Sequence, residues 1–191
     1  MADRIKENIL DVAREIFSKF GFRKTTMEEI AQAARKGKSS IYYYFNSKEE
    51  IFEAVVKTEA SLLKNEILQT IEKTDDPLEK LRLYIITRIR GIKKLGNFYD
   101  AMQNDFLSHL NFIEKAREEY DKLEIEVISG ILQQGIEKEE FEIDDPNLAA
   151  IALVTILKGL ELPLFIDKID YQLEDRVEDL LTLMYKGIKK R

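Results

Sequence analysis

The sequence predicts an all-α protein of about nine helices, a three-helix N-terminal unit followed by a larger helical body. Three observations predict it. Apolar residues recur with a 3.6-residue period along most of the 191 residues, and no segment shows the two-residue alternation of a half-buried strand. Helix starts are written repeatedly. Thr26 and Glu29, and Ser47 and Glu50, have the spacing of capping boxes, and Asp75-Asp76-Pro77 and Asp144-Asp145-Pro146 put proline where its missing N–H costs nothing. Finally, 8 Gly and 3 Pro leave little room for a turn-rich β architecture.

The elements follow in order. Ile5, Ile9, Val12, Ala13, Ile16, Phe17 and Phe20 form one stripe of a first helix that Gly21 ends. Thr26 opens a short second helix ending near Ala34. The tight connection Arg35-Lys36-Gly37 leads to a third, "KSSIYYYF", which Asn46-Ser47 breaks. The fourth is long, from Lys48 to about Lys73, with Ile51, Phe52, Val55, Val56, Leu62, Leu63, Ile67 and Ile71 as its stripe. A fifth runs from Pro77 to about Leu95 and closes at Gly96-Asn97. "FYDAMQNDFLSHL" forms a sixth, and a long seventh extends from about Phe112 to Glu139. The eighth, "LAAIALVTILKGLELPLF", is apolar nearly all round, and Pro163 is expected to kink or end it. The ninth, "LEDRVEDLLTLMYKGIKK", keeps Val177, Leu180, Leu181, Met184 and Ile188 on one side.

Composition excludes several function classes. The absence of cysteine removes a disulfide framework, a thiolate zinc site and a cysteine nucleophile together, and fits a reducing compartment. A single histidine, His109, supplies neither a Ser-His-Asp triad nor a histidine metal site. A helical metal–carboxylate site needs Glu-x-x-His, and Phe106, Leu107 and Ser108 precede His109. With no glycine-rich phosphate loop either, an enzyme, a cofactor and a metal are not expected. The longest apolar run, Leu148 to Leu157, is half a membrane span, and residues 1–6 run into an amphipathic pattern rather than a secretory leader. A cytoplasmic protein with no membrane partner is expected.

The net charge of -6 hides an asymmetry. Residues 1–48 hold ten Lys and Arg against six Asp and Glu, a balance of +4, so the remainder carries -10. A basic quarter on an acidic body points to a polyanion-facing end attached to something with another task. Within that quarter lie three consecutive tyrosines, Tyr42-Tyr43-Tyr44, which cannot all face one core from a helix.

Two short helices joined by a tight turn form the helix-turn-helix unit, whose second helix enters the DNA major groove. Ile41 and Phe45, four apart, take the inner face of "KSSIYYYF" against the first helix. Left outside are Lys38, Ser39 and Ser40, then Tyr42, Tyr43 and Tyr44. The serines are short enough to let a helix approach base edges, and a tyrosine offers a ring to a thymine methyl or a hydroxyl to a phosphate. Lys38 and Lys48 bracket the segment and are placed to neutralise backbone charge. Thr25 and Thr26 stand at the start of the second helix, and Lys36 adds a further phosphate contact. Residues 1–47 are therefore read as a DNA-binding domain and residues 48–191 as a helical ligand-binding and dimerisation domain.

The same stretch resembles the TetR family of transcriptional regulators. The resemblance runs from about Ile5 to Phe52 and rests on Gly21-Phe22 after an amphipathic helix, then "TTMEEIA", a turn, a Lys with small residues, and "IYYYFNSKEEI". It implies that Thr25, Thr26, Lys38, Ser39, Ser40, Tyr42, Tyr43, Tyr44 and Lys48 fall where family members contact DNA. The chain departs from the family at the turn, where Arg35-Lys36-Gly37 replaces the usual Gly, small apolar residue and Ser. The departure bears on the angle at which the recognition helix meets DNA, since a glycine most easily takes a left-handed turn.

For the body, one short helix reads too few base pairs for useful specificity, so a second copy is expected. The eighth and ninth helices are expected to form a four-helix homodimer interface that includes Ile151, Val154, Leu157, Lys158, Glu161, Leu180 and Met184, with Lys158 and Glu161 paired within or across subunits. An effector pocket is expected among Tyr84, Arg88, Phe98, Tyr99, Met102, Phe106, His109, Phe112 and Tyr120, a mix suited to a mostly apolar ligand with one polar end. The expected function is a homodimeric, ligand-responsive repressor of transcription, released from a palindromic double-stranded operator by a small molecule. The alternative is a helical protein–protein adaptor whose basic end binds an acidic partner.

Overall fold

A computed structural model of the chain describes residues 2–94, 96–97, 111–166 and 173–188. Among the described residues the protein is all-α, with eight helices: α1 (Ala2–Phe20), α2 (Met27–Ala33), α3 (Lys38–Tyr44), α4 (Lys48–Ile71), α5 (Pro77–Lys94), α6 (Asn111–Glu137), α7 (Pro146–Ile166) and α8 (Leu173–Ile188). The expected helix "FYDAMQNDFLSHL" lies outside the described residues. The chain divides into two compact units, residues 1–62 with 92–117 and residues 63–91 with 118–191, and α4 contributes to both.

In the first unit the helical periodicity of α1 buries Ile9, Ala13 and Phe17. Gly21 ends the helix with φ 79°, and its N–H donates to the Phe17 carbonyl at 2.8 Å. The chain turns there so that Phe22 joins Phe17 and Phe52 of α4 in an aromatic cluster, with ring centroids 4.8 to 5.9 Å apart. Met27, Ile30, Ala31 and Ala34 of the α2 segment, Ile41 and Phe45 of the α3 segment, and Ile51, Val55 and Val56 of α4 complete this core. Burying a large aliphatic or aromatic side chain is worth roughly 1.5–3 kcal/mol, so this core dominates the energetics of the unit. Phe20 departs from the expected stripe: it is the last residue of α1 and is 54% exposed, with the Lys19 ammonium over its ring. Leu62 is likewise exposed, since the buried side of α4 continues through Leu63.

Both proline starts cap as the sequence implies. Asp76 accepts from the Glu79 N–H at 3.0 Å, and Asp145 accepts from Asn147 and Leu148 at 2.9 Å each. In the second unit Leu63, Ile67, Leu81, Tyr84, Ile85, Ile128, Ile131, Leu132, Val154 and Leu157 are buried. Gly91 lets α5 lie close against α4, where a Cβ would overlap Leu63. Arg82 holds Glu178 of α8 at 2.6 Å, and Lys158 of α7 holds Asp121 of α6 at 2.5 Å. Helix α7 continues through Pro163 to Ile166, so the proline does not end it.

The Arg35-Lys36-Gly37 connection is a Schellman turn. The Arg35 N–H donates to Gln32 at 3.0 Å and the Lys36 N–H to Ala31 at 2.9 Å, which satisfies the last carbonyls of α2. This closure requires a left-handed residue, and Arg35 supplies it with φ 53°. The left-handed conformation costs a non-glycine residue about 1–2 kcal/mol, whereas glycine loses about 0.5–1 kcal/mol in chain entropy. Arg35→Gly is therefore expected to stabilise the protein by on the order of 0.5 kcal/mol and raise its melting midpoint by about 1–2 °C, measured by calorimetry. A fall in the midpoint would show that the arginine side chain compensates for its own strain.

Candidate nucleic-acid interface and buried polar site

The capping box at α2 forms in full: the Thr26 N–H donates to the Glu29 carboxylate at 2.8 Å, and the Glu29 N–H donates to the Thr26 hydroxyl at 3.3 Å. The second box forms by half. Ser47 accepts from the Glu50 N–H at 3.2 Å, but the Glu50 carboxylate reaches one residue further back, to the N–H of Asn46 at 2.7 Å and its side-chain amide at 3.0 Å. Asn46 supplies two donors there, which makes it the better site for a carboxylate. Between these two fixed starts α3 is short, N-capped by Gly37 without a side-chain bond and pinned inward by Ile41 and Phe45.

The outward face of α3 holds the residues expected there. Lys38 and Ser39 are exposed, Ser40 is half-buried, and Tyr42 and Tyr43 are 43% and 80% exposed. Tyr44 is half-buried and stacks edge-on against Tyr43, with centroids 5.0 Å apart. Two of the three tyrosines thus stand on a surface with no core to bury them, at the basic end of the chain. Lys38 also lies over the Tyr42 ring at 6.0 Å and is ion-paired with Glu28. That pair holds the Glu28 carboxyl below its ordinary range, chiefly through the hydrogen bond from Lys38.

Two expected contact residues have their side chains committed within the protein, and a third is half-buried. Thr25 is buried, and its hydroxyl donates to the Gly21 carbonyl at 2.9 Å, so its side chain braces the turn after α1 instead of facing out. Lys48 is half-buried, donates to the Phe22 carbonyl at 2.8 Å and lies 4.3 Å over the Phe22 ring, locking α4 to the aromatic cluster. Lys36 is half-buried, and its backbone N–H closes the turn on the Ala31 carbonyl.

In the second unit, three of the residues expected in a pocket converge. Tyr84 and Arg88 on α5, one helical turn apart, face Tyr120 and Glu124 on α6, also one turn apart, and all four are buried. Arg88 grips Glu124 bidentately, through Nε to Oε1 and through Nη2 to Oε2 at 3.0 Å, and the Tyr84 hydroxyl donates to Oε1 at 2.8 Å. Tyr84, Tyr120 and Glu124 line a small cleft with Lys64, Ile67, Leu68, Leu123 and Val127. Glu124 was not anticipated from sequence, since it is one of many acids in "EEYDKLEIE"; the facing i, i+4 pairs are the signal that marks it. Phe98, Tyr99, Met102, Phe106 and His109 lie outside the described residues, and Phe112 sits in α6 with its side chain outside them.

At the expected dimer surface, Val154 and Leu157 point into their own unit, and Lys158 pairs with Asp121. Ile151 is exposed, beside Leu148 and Ile156 on the outer face of α7, and Leu180 and Met184 are half-buried while Leu183 of α8 is exposed. The side chain of Glu161 lies outside the described residues.

Removing one partner of a buried ion pair strands a charge in a low-dielectric site and costs about 3–5 kcal/mol. Arg88→Met is expected to lower stability by that amount in chemical denaturation. Burial and the adjacent Glu124 charge push the Tyr84 hydroxyl well above its ordinary value. The folded state thus keeps a proton that the unfolded chain releases above about pH 10, and stability from Tyr84 is present below that pH and falls by up to about 1.4 kcal/mol per unit above it. Tyr84→Phe is expected to flatten this alkaline loss; an unchanged alkaline limb would contradict the assignment.

The comparisons with known proteins agree with this geometry. Residues 9–55 match the family model described as bacterial regulatory proteins, tetR family. The HTH-type transcriptional regulator QacR of Staphylococcus aureus is 25% identical over 188 residues, 95% of this chain and 93% of that protein. A transcriptional regulator from Cytophaga hutchinsonii is 31% identical, with a TM-score of 0.83 over 96% of this chain and 98% of that one. SmeT of Stenotrophomonas maltophilia, solved with triclosan, shares the fold at a TM-score of 0.77 and 20% identity over 98% and 92% of the two chains. With its helix-turn-helix start, all-α body and end-to-end match to a regulator at 31% identity, the chain belongs to the TetR family of helix-turn-helix transcriptional regulators.

Proposed function

We propose that the protein is a homodimeric repressor that binds a palindromic DNA operator through α3 and is released by a small, mostly apolar effector. The observation that carries the DNA-binding part is the outward face of α3, where Tyr43 is 80% exposed beside Tyr42, Ser39 and Lys38 while Ile41 is fully buried. An exposed aromatic pair on a short helix in the basic quarter suits a groove lined with base edges and phosphates. Residues 1–47 carry this task and residues 48–191 carry effector binding and dimerisation.

Dimerisation is supported by the exposed Leu148, Ile151 and Ile156 on α7 and Leu183 on α8, an apolar surface that a second copy would bury. The effector reading is supported by the cleft of Tyr84, Tyr120 and Glu124 with its apolar walls. The cleft is small and is walled by α4, α5 and α6, so a drug-sized ligand would have to widen it by moving one of these helices. Helix α4 carries both Ile67 of the cleft and Ile51 and Val55 of the N-terminal core, which makes it the lever between ligand and DNA. Release requires the ligand to favour one spacing of the two recognition helices over the other. The relative SmeT is itself a repressor, of a multidrug efflux pump, and its complex with triclosan is a precedent for a largely apolar effector.

The test is binding to the DNA upstream of its own gene. Tyr43→Ala is the variant to compare, because Lys48 has a packing role that would confound its replacement. The wild type is expected to shift the fragment as a dimer, and Tyr43→Ala to lose about tenfold or more in affinity while its melting midpoint stays unchanged. Binding that is equally tight in the variant would remove α3 from the interface.

A further inference from the structure

Lys38 begins α3 at the centre of the proposed DNA surface, yet in the free protein its ammonium is bonded to the Glu28 carboxylate on α2. The two residues are ten apart in sequence and join the first turns of α2 and α3, and both side chains remain more than half exposed. Glu28 takes no part in the capping box, which Thr26 and Glu29 complete without it. Its bonding partner on the surface is therefore the lysine that phosphate would otherwise claim.

We infer that Glu28 is an internal counterion to Lys38, a phosphate mimic that lowers the affinity of this surface for DNA backbone and so raises its selectivity. This rests on the DNA-binding reading above. A free lysine that meets a phosphate releases one condensed cation from the DNA, and that release drives sequence-independent binding. A lysine already held by a carboxylate gains less. It must leave Glu28, and the exposed carboxylate then faces a polyanion or takes up a cation of its own. The discount falls hardest on non-specific complexes, which consist almost entirely of phosphate contacts. It falls lightly on an operator complex, to which Ser39, Tyr42 and Tyr43 add base contacts. The surface thus trades backbone affinity for discrimination.

The experiment uses the full chain and a random-sequence duplex of about 30 base pairs, titrated from about 50 to about 200 mM salt. Four proteins are compared: wild type, Glu28→Gln, Lys38→Ala and the double variant. Because the pair is exposed, all four are expected to melt at similar temperatures. Glu28→Gln is expected to steepen the dependence of log K on log salt by about 0.9 per bound subunit and to tighten binding by about tenfold per subunit near 0.1 M salt. Lys38→Ala alone is expected to weaken binding, because it leaves the Glu28 carboxylate facing the polyanion, and the double variant is expected to return to about the wild-type affinity and salt slope, which places the gain of Glu28→Gln on the freed lysine. A gain that persists without Lys38 would overturn the inference, as would weaker binding by Glu28→Gln, which would make Glu28 a positioning or base-reading residue. Absence of wild-type binding to any duplex at low salt would overturn the DNA-binding reading itself, and is distinct from either result.

Discussion

The aromatic cluster of Phe17, Phe22 and Phe52 is the contact on which the rest of the N-terminal unit depends. It joins the end of α1, the turn beyond Gly21 and the first turn of α4, three segments that share no secondary structure. Lys48 seals it from above, through the Phe22 carbonyl and ring, and Thr25 braces the same turn through Gly21. With α1 and α4 held, Ile30 of α2 and Ile41 of α3 close the core, and the opposite side of α3 is left with nothing to bury it. The exposed tyrosines are therefore a consequence of the core, because residues two apart lie about 200° around an α-helix and Tyr43 faces out once Ile41 is buried.

Charge is used in two contrasting ways. Arg88 and Glu124 are buried together, and their desolvation is offset by bidentate geometry and the Tyr84 hydroxyl, so the pair fixes the register of α5 on α6. Lys38 and Glu28 meet in water, where a pair is worth little to stability and is cheap to exchange for another partner. The first suits a scaffold and the second suits a surface that must trade one anion for another.

Much of this was legible in the sequence where a single physical signal decides. The Thr26 capping box, the Asp-Pro helix starts and the inner pair Ile41 and Phe45 follow from spacing alone. The tilt of the choice fails where several faces are equally apolar. In α7 the pattern announces burial all round, but only the packed fold tells that Val154 and Leu157 face inward and Ile151 and Ile156 outward. Thr25 and Lys48 were hidden for a related reason: a polar side chain that reaches a carbonyl exposed by a turn has no signature until the turn is known. Glu124 was hidden by its own neighbours, since burial singles out one acid from a run that is otherwise solvated.

The central claim is that the outward face of α3 lies against duplex DNA. It is tested most directly by replacing Tyr43 with a photoreactive phenylalanine derivative and irradiating the protein on DNA from its own upstream region, with Lys122, exposed on α6, substituted in the same way as the control. The account predicts a covalent crosslink from position 43, competed away by unlabelled duplex, and none from position 122. Crosslinking from position 122 and not from position 43 would contradict it.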